Sequence, residues 1–224
     1  MKKSRSIFSL TLNLICLIIA IVSSICLVVY SVHSGAPPWD IVSSSIYGAT
    51  LILLFLVSTL CYLFRFNSRP PLFFHLLELI SIYIIIAGTY TPICLGPLRG
   101  GWGWSIFGVV WFLALVGLFI SLFWKKVPTW LSLGIYFAMG WVIWIAIFPM
   151  LQVFSFYGIL PSLVWLLIGN VSYTISAIFS FLEIPKEEKK EENRKYSYHN
   201  ISIFFILLGT ICHYWFIFHY VLSI

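Results

Sequence analysis

Residues 75–92 read HLLELISIYIIIAGTYTP, an almost unbroken apolar run that contains a single carboxylate, Glu78. A helix needs about 20 apolar residues to cross a hydrocarbon core roughly 30 Å thick. Similar runs recur along the 224-residue chain, of which 61% is hydrophobic and only 9% is charged. Soluble domains carry about 25% charged residues, so this composition excludes a soluble globular protein and indicates an integral membrane protein.

The apolar runs predict helices. Backbone polar groups must be satisfied internally in lipid, which leaves helices or a closed barrel. Barrel strands alternate apolar and polar side chains in short segments, whereas these runs are long and continuously apolar. We therefore predict an all-α bundle forming one membrane domain over residues 1–224. Its seven spans are predicted at 7–31, 41–64, 71–95, 103–124, 129–149, 157–182 and 200–223.

Most breaks between the predicted spans carry turn residues, such as GAPPWD (35–40) and GPLRGGWG (96–103). Proline and glycine end helices and supply turn conformations. The break expected at 150–156 has a weaker signal, since it depends on Pro149, on Gln152 and on a loss of strict apolarity.

The basic residues predict the orientation. All but one of the 13 fall in segments that share one side of the seven-span arrangement, and the exception is Arg99. Lys and Arg accumulate in cytoplasmic loops, so the N-terminus is predicted in the cytoplasm and the C-terminus outside. The net charge of +6 comes from short basic clusters between apolar runs, a pattern that reports topology and predicts no nucleic-acid partner. The predicted partner is membrane lipid. The charged segment 183–195 is interpreted as a solvated linker.

Glu78 is the one acidic residue inside a predicted span, roughly 10 Å deep at 1.5 Å per residue. A carboxylate in hydrocarbon costs about 2.5–3.5 kcal/mol on insertion scales, and such residues usually face the bundle interior. Two interpretations remain open: a protonated packing residue, or part of a polar site. His75, Ser81 and Thr89 share its helical stripe. The polar residues expected near the cytoplasmic face are Ser58, Tyr62, His75, Glu78 and His199.

Two further polar groups lie in the last spans. On span seven, His199, Ser202, Thr210 and His213 follow roughly one face. On span six, Asn170 is predicted to hold helices together through packing with Gly169 and Ser176.

Three segments resemble signature stretches of the hemolysin III family: IYIIIAGTYTP (82–92), YFAMGW (136–141) and IGNVSYTISAIF (168–179). That family belongs to the superfamily of progestin and adipoQ receptors, which is related to alkaline ceramidases. The resemblance covers most of the chain, including the seven-span layout and the order of motifs.

The resemblance implies a zinc site near the cytoplasmic face, which this chain retains only in part. The family's Ser-x-x-x-His motif becomes STLCY, with Ser58 kept and Tyr62 in place of histidine. The acid of span three falls on Glu78, where Asp is usual, and the H-x-x-x-H pair becomes HNISI, with His199 kept and Ile203 in the second position. His213 matches a further histidine of the family.

These departures favour a polar-site remnant at Ser58, Tyr62, Glu78 and His199, with no metal expected. In the alternative, zinc would be held by Glu78 and His199 with Cys61 or His75 as substitute ligands. No catalytic residue is assigned.

Three functions compete. The sequence favours a non-enzymatic, multi-pass protein of the cytoplasmic or inner membrane that acts in membrane disturbance, cytolysis or lipid homeostasis. The first alternative is a ceramidase-like hydrolase of lipid amides, which the substitutions at Tyr62 and Ile203 disfavour. The second is a receptor-like or transport-like bundle, although the sequence shows no repeated half or chain of acids that would mark an ion path.

Overall fold

The computed structural model describes residues 2–65, 72–124, 128–182 and 192–222. Within these ranges, some side chains lie outside the described part of the structure: those of residues 2–9, Tyr62, Arg65, Leu72, Phe74, His75, Thr129, 180–182 and 192–200. The charged segment 183–191, most of the predicted linker, also lies outside it.

Seven helical spans form the molecule, and the described residues contain no strand, which confirms the predicted fold class. The helices are α1 (Lys2–His33), α2 (Pro38–Arg65), α3 (Leu72–Leu95), α4 (Gly101–Phe123), α5 (Thr129–Trp141), α6 (Ile147–Phe156), α7 (Ser162–Leu182) and α8 (Glu192–Phe216). A 3₁₀ segment, Val142–Ala146, joins α5 to α6, and a π-helical turn, Ile217–Val221, continues α8.

The break expected at 150–156 is wrong, because the fifth span remains helical as far as Phe156. Pro149 does interrupt the α-helix, but the interruption lies before the proline, at the 3₁₀ segment Val142–Ala146. A proline has no N–H and its ring clashes with the carbonyl four residues earlier, which here belongs to Ile145, within the 3₁₀ segment. The chain instead turns after α6, where Gly158 has a φ of +70°. Ile159 N–H donates to Phe154 O and Gly158 N–H to Ser155 O, the two hydrogen bonds of a Schellman motif.

Consecutive helices pack side by side through most of the bundle: α1 lies along α2, α2 along α3, α3 along α4, and α7 along α8. The ring of helices closes where α8 meets α1, since the Tyr214 hydroxyl donates to Ser23 O at 3.1 Å. The helix α3 has the largest buried share of the seven, and it also contacts α5 and the π-helical turn. Among the described polar side chains of α3, those of Ser81, Thr89 and Thr91 are buried among neighbouring helices.

The outward faces are apolar. On α4, for example, Phe112, Phe119 and Phe123 are exposed while Val110 and Ala114 are buried. Apolar residues cover the exposed face of a membrane bundle because the surrounding solvent is lipid. The outward face of α4 is thus built to contact acyl chains.

Candidate functional site

Ser58, on the predicted cytoplasmic half of α2, donates a hydrogen bond to Asn13 Oδ1 of α1 at 3.0 Å. Asn13 is 1% exposed. Sequence reasoning identified Ser58 but not Asn13, which is the only asparagine in the first span. An asparagine side chain within a span commonly forms a hydrogen bond with a neighbouring helix. The position of Asn13 in the first span could therefore have identified it as a packing residue. The predicted site residue Ser58 thus holds α1 and α2 together.

Glu78 lies on α3, is partly buried, and interacts electrostatically with Tyr136 of α5. The Tyr136 hydroxyl donates to Leu79 O at 3.1 Å, and the Tyr136 ring stacks on Tyr83 at 4.4 Å. Ser58 is therefore bonded to α1, whereas the backbone next to Glu78 is bonded to α5 through Leu79 O. Of the residues on the Glu78 stripe, Ser81 donates to Glu78 O at 2.8 Å and Thr89 to Ile85 O at 2.7 Å.

The remaining predicted ligands fall partly outside the described side chains. Tyr62, His75 and His199 lie on α2, α3 and α8, but their side chains are outside the described residues. Cys61 is buried on α2. The hypothesis that Glu78, Tyr62 and His199 share a polar site therefore stays a prediction.

The zinc site that the family resemblance implies stays a prediction, because the side chains of Tyr62, His75 and His199 lie outside the described part of the structure. A catalytic zinc needs three protein ligands. Ile203, which holds the second histidine position of span seven, is a buried aliphatic side chain, and the Ser58 hydroxyl is engaged by Asn13. Among the described side chains, no three His, Cys, Asp or Glu groups lie close enough to hold a metal ion.

The sixth and seventh spans are bonded through serines. The hydroxyls of Ser176 and Ser202 lie 2.9 Å apart, and Ser176 donates to Ser202 O at 3.0 Å. Ser176 was predicted as a packing residue together with Asn170. Its hydrogen bonds to α8 are consistent with that role.

A second group of polar residues lies farther from the predicted cytoplasmic face than Ser58 and Glu78 do. We call it the inner polar cluster. Its members, drawn from α2, α3, α7 and α8, are Tyr47, Tyr90, Asn170, Tyr173, Thr210 and His213. The Tyr173 hydroxyl lies 3.1 Å from Thr210 Oγ1, and the Tyr173 ring packs on the His213 ring with centroids 5.1 Å apart. The Asn170 side chain lies beside the Tyr90 hydroxyl.

Three members of the inner polar cluster keep buried polar atoms without a hydrogen-bond partner among the described residues. These atoms are the Tyr47 hydroxyl, Asn170 Nδ2 and both ring nitrogens of His213. The three side chains are 0%, 4% and 1% exposed, respectively. Such groups are rare in folded proteins because the desolvation of a polar atom is costly. They mark this cluster as the most unusual chemistry in the described part of the bundle.

Sequence reasoning noted Asn170 and His213 but missed the tyrosines of the cluster. Tyrosine concentrates at membrane interfaces, whereas Tyr47 and Tyr90 lie inside predicted spans. Tyrosines within a span, away from the membrane interface, were therefore a signal in the sequence for a polar cluster.

The chain is similar to known proteins across most of its length. The family model described as "Haemolysin-III related" matches residues 3–214. The hemolysin-3 homolog of Bacillus subtilis (strain 168) is 35% identical over 162 residues, which cover 72% of this chain and 73% of that protein. Hemolysin-3 of Bacillus cereus is 34% identical over 166 residues, which cover 74% of this chain and 73% of that protein.

Proposed function

The chain belongs to the hemolysin III family, and from that premise we propose that it is a resident, non-catalytic protein of the cytoplasmic membrane that disturbs the order of the surrounding lipid. This role covers both membrane disturbance and lipid homeostasis. The disturbance of lipid is supported by the family match, and the observation that carries the non-catalytic part of the proposal is the hydrogen bond between Ser58 and Asn13. In this bond, Ser58, the serine of the family's Ser-x-x-x-His motif, packs α2 against α1, and its hydroxyl donates to the Asn13 side-chain amide.

The pattern continues on α8, where the family resemblance places the other ligands. Ile203 is buried and offers no donor atom, while the adjacent Ser202 is bonded to Ser176 of α7. A zinc-bound water would need imidazole, thiolate or carboxylate groups around it. The described polar side chains of this region support a tightly bonded helix bundle better than a hydrolytic centre.

The lipid-facing surface supports the proposed location and partner. Seven long apolar helices suit a cytoplasmic membrane, since the proteins of bacterial outer membranes are β-barrels. The exposed aromatic and aliphatic residues of α4, such as Phe112 and Leu115, meet acyl chains directly. The Bacillus cereus relative is named hemolysin-3 and the Bacillus subtilis relative is named a hemolysin-3 homolog. These names support a disturbing effect on lipid.

A leakage assay tests this function. Purified protein is reconstituted into liposomes that contain a self-quenched dye, at increasing protein-to-lipid ratios, beside liposomes holding an unrelated seven-helix protein at equal mass. We expect dye release that rises with the amount of this protein and exceeds that of the control. Release equal to the control at every ratio would contradict the proposed disturbance of lipid.

A parallel assay tests the absence of catalysis. The same liposomes receive a fluorescent lipid amide and zinc, and hydrolysis is compared between the natural chain and Glu78→Gln, which keeps the shape of the side chain and replaces the carboxyl group with an amide. We expect no hydrolysis above that of the variant. Turnover that needs both zinc and Glu78, with one zinc held per chain, would establish the hydrolase in place of our proposal.

A further inference from the structure

One end of the bundle carries two opposite charges beside two tryptophans. Asp40 lies in the first turn of α2, and Arg99 lies in the loop between α3 and α4. The Arg99 guanidinium stands over the Trp39 ring, 5.1 Å from its centroid. The Trp39 and Trp104 rings meet edge to face, with their centroids 5.7 Å apart. We call these four residues the loop cluster.

Gly96 brings the two charges of the loop cluster to one place. A Cβ added to Gly96 would stand 3.1 Å from Asp40 Oδ1, so the loop backbone passes directly against the Asp40 carboxylate. The backbone N–H of Arg99 donates to Gly96 O at 3.0 Å, which holds Arg99 next to this contact. The guanidinium and the carboxylate attract each other.

Both charged groups keep their capacity for hydrogen bonds. Among the described residues, neither the Asp40 nor the Arg99 side chain forms a hydrogen bond or a salt bridge. A guanidinium offers five N–H donors, and a carboxylate accepts at two oxygens. The two groups can therefore bind a molecule that presents an anion and a cation side by side.

The loop cluster lies at the depth of lipid headgroups, where the second, third and fourth spans end. Trp39 and Trp104 are 39% and 45% exposed, and Arg99 is exposed as well. Tryptophan concentrates at the interface between membrane and water. The molecule that meets this surface within a bilayer is the headgroup of a phospholipid.

The two charges select the class of headgroup. Guanidinium binds phosphate bidentately, and an ammonium group with N–H donors complements a carboxylate. Phosphatidylglycerol has no cation to place against Asp40, and the quaternary ammonium of phosphatidylcholine has no N–H to donate. We propose that the loop cluster binds the headgroup of phosphatidylethanolamine, with its phosphate on Arg99 and its primary ammonium on Asp40. The Trp39 ring positions Arg99 through their cation–π contact.

Native mass spectrometry of the purified full chain in detergent tests this site. Phosphatidylethanolamine, phosphatidylcholine and phosphatidylglycerol with identical acyl chains are added one at a time, and the lipid-bound fraction gives each Kd. We expect phosphatidylethanolamine to bind at least about fivefold more tightly than either other lipid, because charge-assisted hydrogen bonds then form at both Arg99 and Asp40. Equal affinity for the three lipids would overturn the proposal. Displacement of the lipid by an equal concentration of phosphoethanolamine, which lacks acyl chains, would overturn the assignment to a lipid.

Two variants separate the two contacts. Asp40→Asn should lower the affinity for phosphatidylethanolamine to that for phosphatidylcholine and leave the latter unchanged. Arg99→Gln should weaken both lipids by a similar factor, because both carry a phosphate. Trp102→Phe, at an exposed tryptophan of the same end of α4 outside the loop cluster, is the control and should alter neither affinity.

A merely structural role of Asp40 gives a different result. If its carboxylate only holds the loop to α2, Asp40→Asn weakens the binding of both lipids alike, and this outcome would refute the contact with the ammonium group. The lipid preference of the natural chain needs no variant, so it tests the site even if a variant fails to fold. Because binding is measured without a bilayer, it can fail while liposomes still leak, which separates this site from the proposed disturbance of lipid.

Discussion

Gly169 of α7 lies directly against the imidazole ring of His213 on α8: a Cβ added to Gly169 would stand 2.6 Å from Nε2. One turn along the same interface, a Cβ on Gly209 would stand 2.5 Å from the Tyr173 ring. Small residues allow membrane helices to approach closely, and this close approach stabilises their association. The two glycines therefore set the separation at which α7 and α8 hold the inner polar cluster.

Gly169→Ala should lower the stability of the protein. The His213 ring has Tyr173 packed on it, so it has little room to move away from the added methyl group. Overpacking of this kind costs about 1–3 kcal/mol, which for a chain of this size corresponds to a fall of roughly 2–12 °C in Tm. Thermal unfolding in detergent, followed by tryptophan fluorescence, measures the change.

Gly108→Ala is the matched control for that experiment, because a Cβ at Gly108 of α4 meets nothing within 4 Å. Its Tm should stay the same or rise slightly. In addition, the double variant Gly169→Ala/His213→Ala should lose less stability than the sum of the two single variants. If the stability losses of the two single variants simply add in the double variant, the methyl group added by Gly169→Ala and the His213 imidazole do not collide.

The number of helices was predictable from the sequence, whereas the bend in the fifth span was not. Apolar runs of sufficient length must form helices in lipid, so local composition decides the seven spans. Whether Pro149 ends a helix or only interrupts it depends on whether the freed backbone groups find new partners. Here the Tyr90 hydroxyl, from α3, donates to the carbonyl of Gly140, just before the 3₁₀ segment. That tertiary contact cannot be derived from the local sequence.

Tyr90→Phe should therefore destabilise the protein through the fifth span. The variant keeps the buried ring but leaves the Gly140 carbonyl without this donor, and an unsatisfied buried acceptor costs about 1–3 kcal/mol. A lower Tm than that of the natural chain is the expected result. Tyr157→Phe, at an exposed tyrosine, should leave Tm unchanged. An unaltered Tm for Tyr90→Phe would mean that this hydrogen bond adds no stability to the bent span.

The candidate site at the predicted cytoplasmic end was only partly predictable for a similar reason. The family resemblance indicated Ser58 as a motif residue, but its partner Asn13 lies 45 positions earlier on another helix. Such a pair depends on how α1 and α2 are aligned, which no local pattern specifies. The packing role of Ser58 became visible only once both helices were in place.

A double-mutant cycle on Asn13→Ala and Ser58→Ala measures that role. Hydrogen bonds between helices in membranes contribute about 0.6 kcal/mol on average and up to about 1.7 kcal/mol. We expect a coupling energy in that range from unfolding in mixed micelles. A cycle on Ser58→Ala and Ser45→Ala is the control and should give no coupling, since the Ser45 hydroxyl donates to Ile41 O of its own helix. A coupling of zero for the first pair would remove the support that this hydrogen bond gives to the proposed non-catalytic role.

The C-terminus is predicted to lie outside the cell and the N-terminus in the cytoplasm, because the basic residues concentrate on one side of the bundle and Arg99 alone lies on the other. Fusions in a bacterial host check this prediction, since alkaline phosphatase is active only outside the cytoplasm and green fluorescent protein fluoresces only inside. A fusion after residue 224 should give phosphatase activity without fluorescence. Fusions that end at residues 100 and 126, on either side of α4, should behave as outside and cytoplasmic, respectively. Fluorescence from the fusion at residue 224 would reverse the orientation and move the site predicted around Glu78 to the outer face.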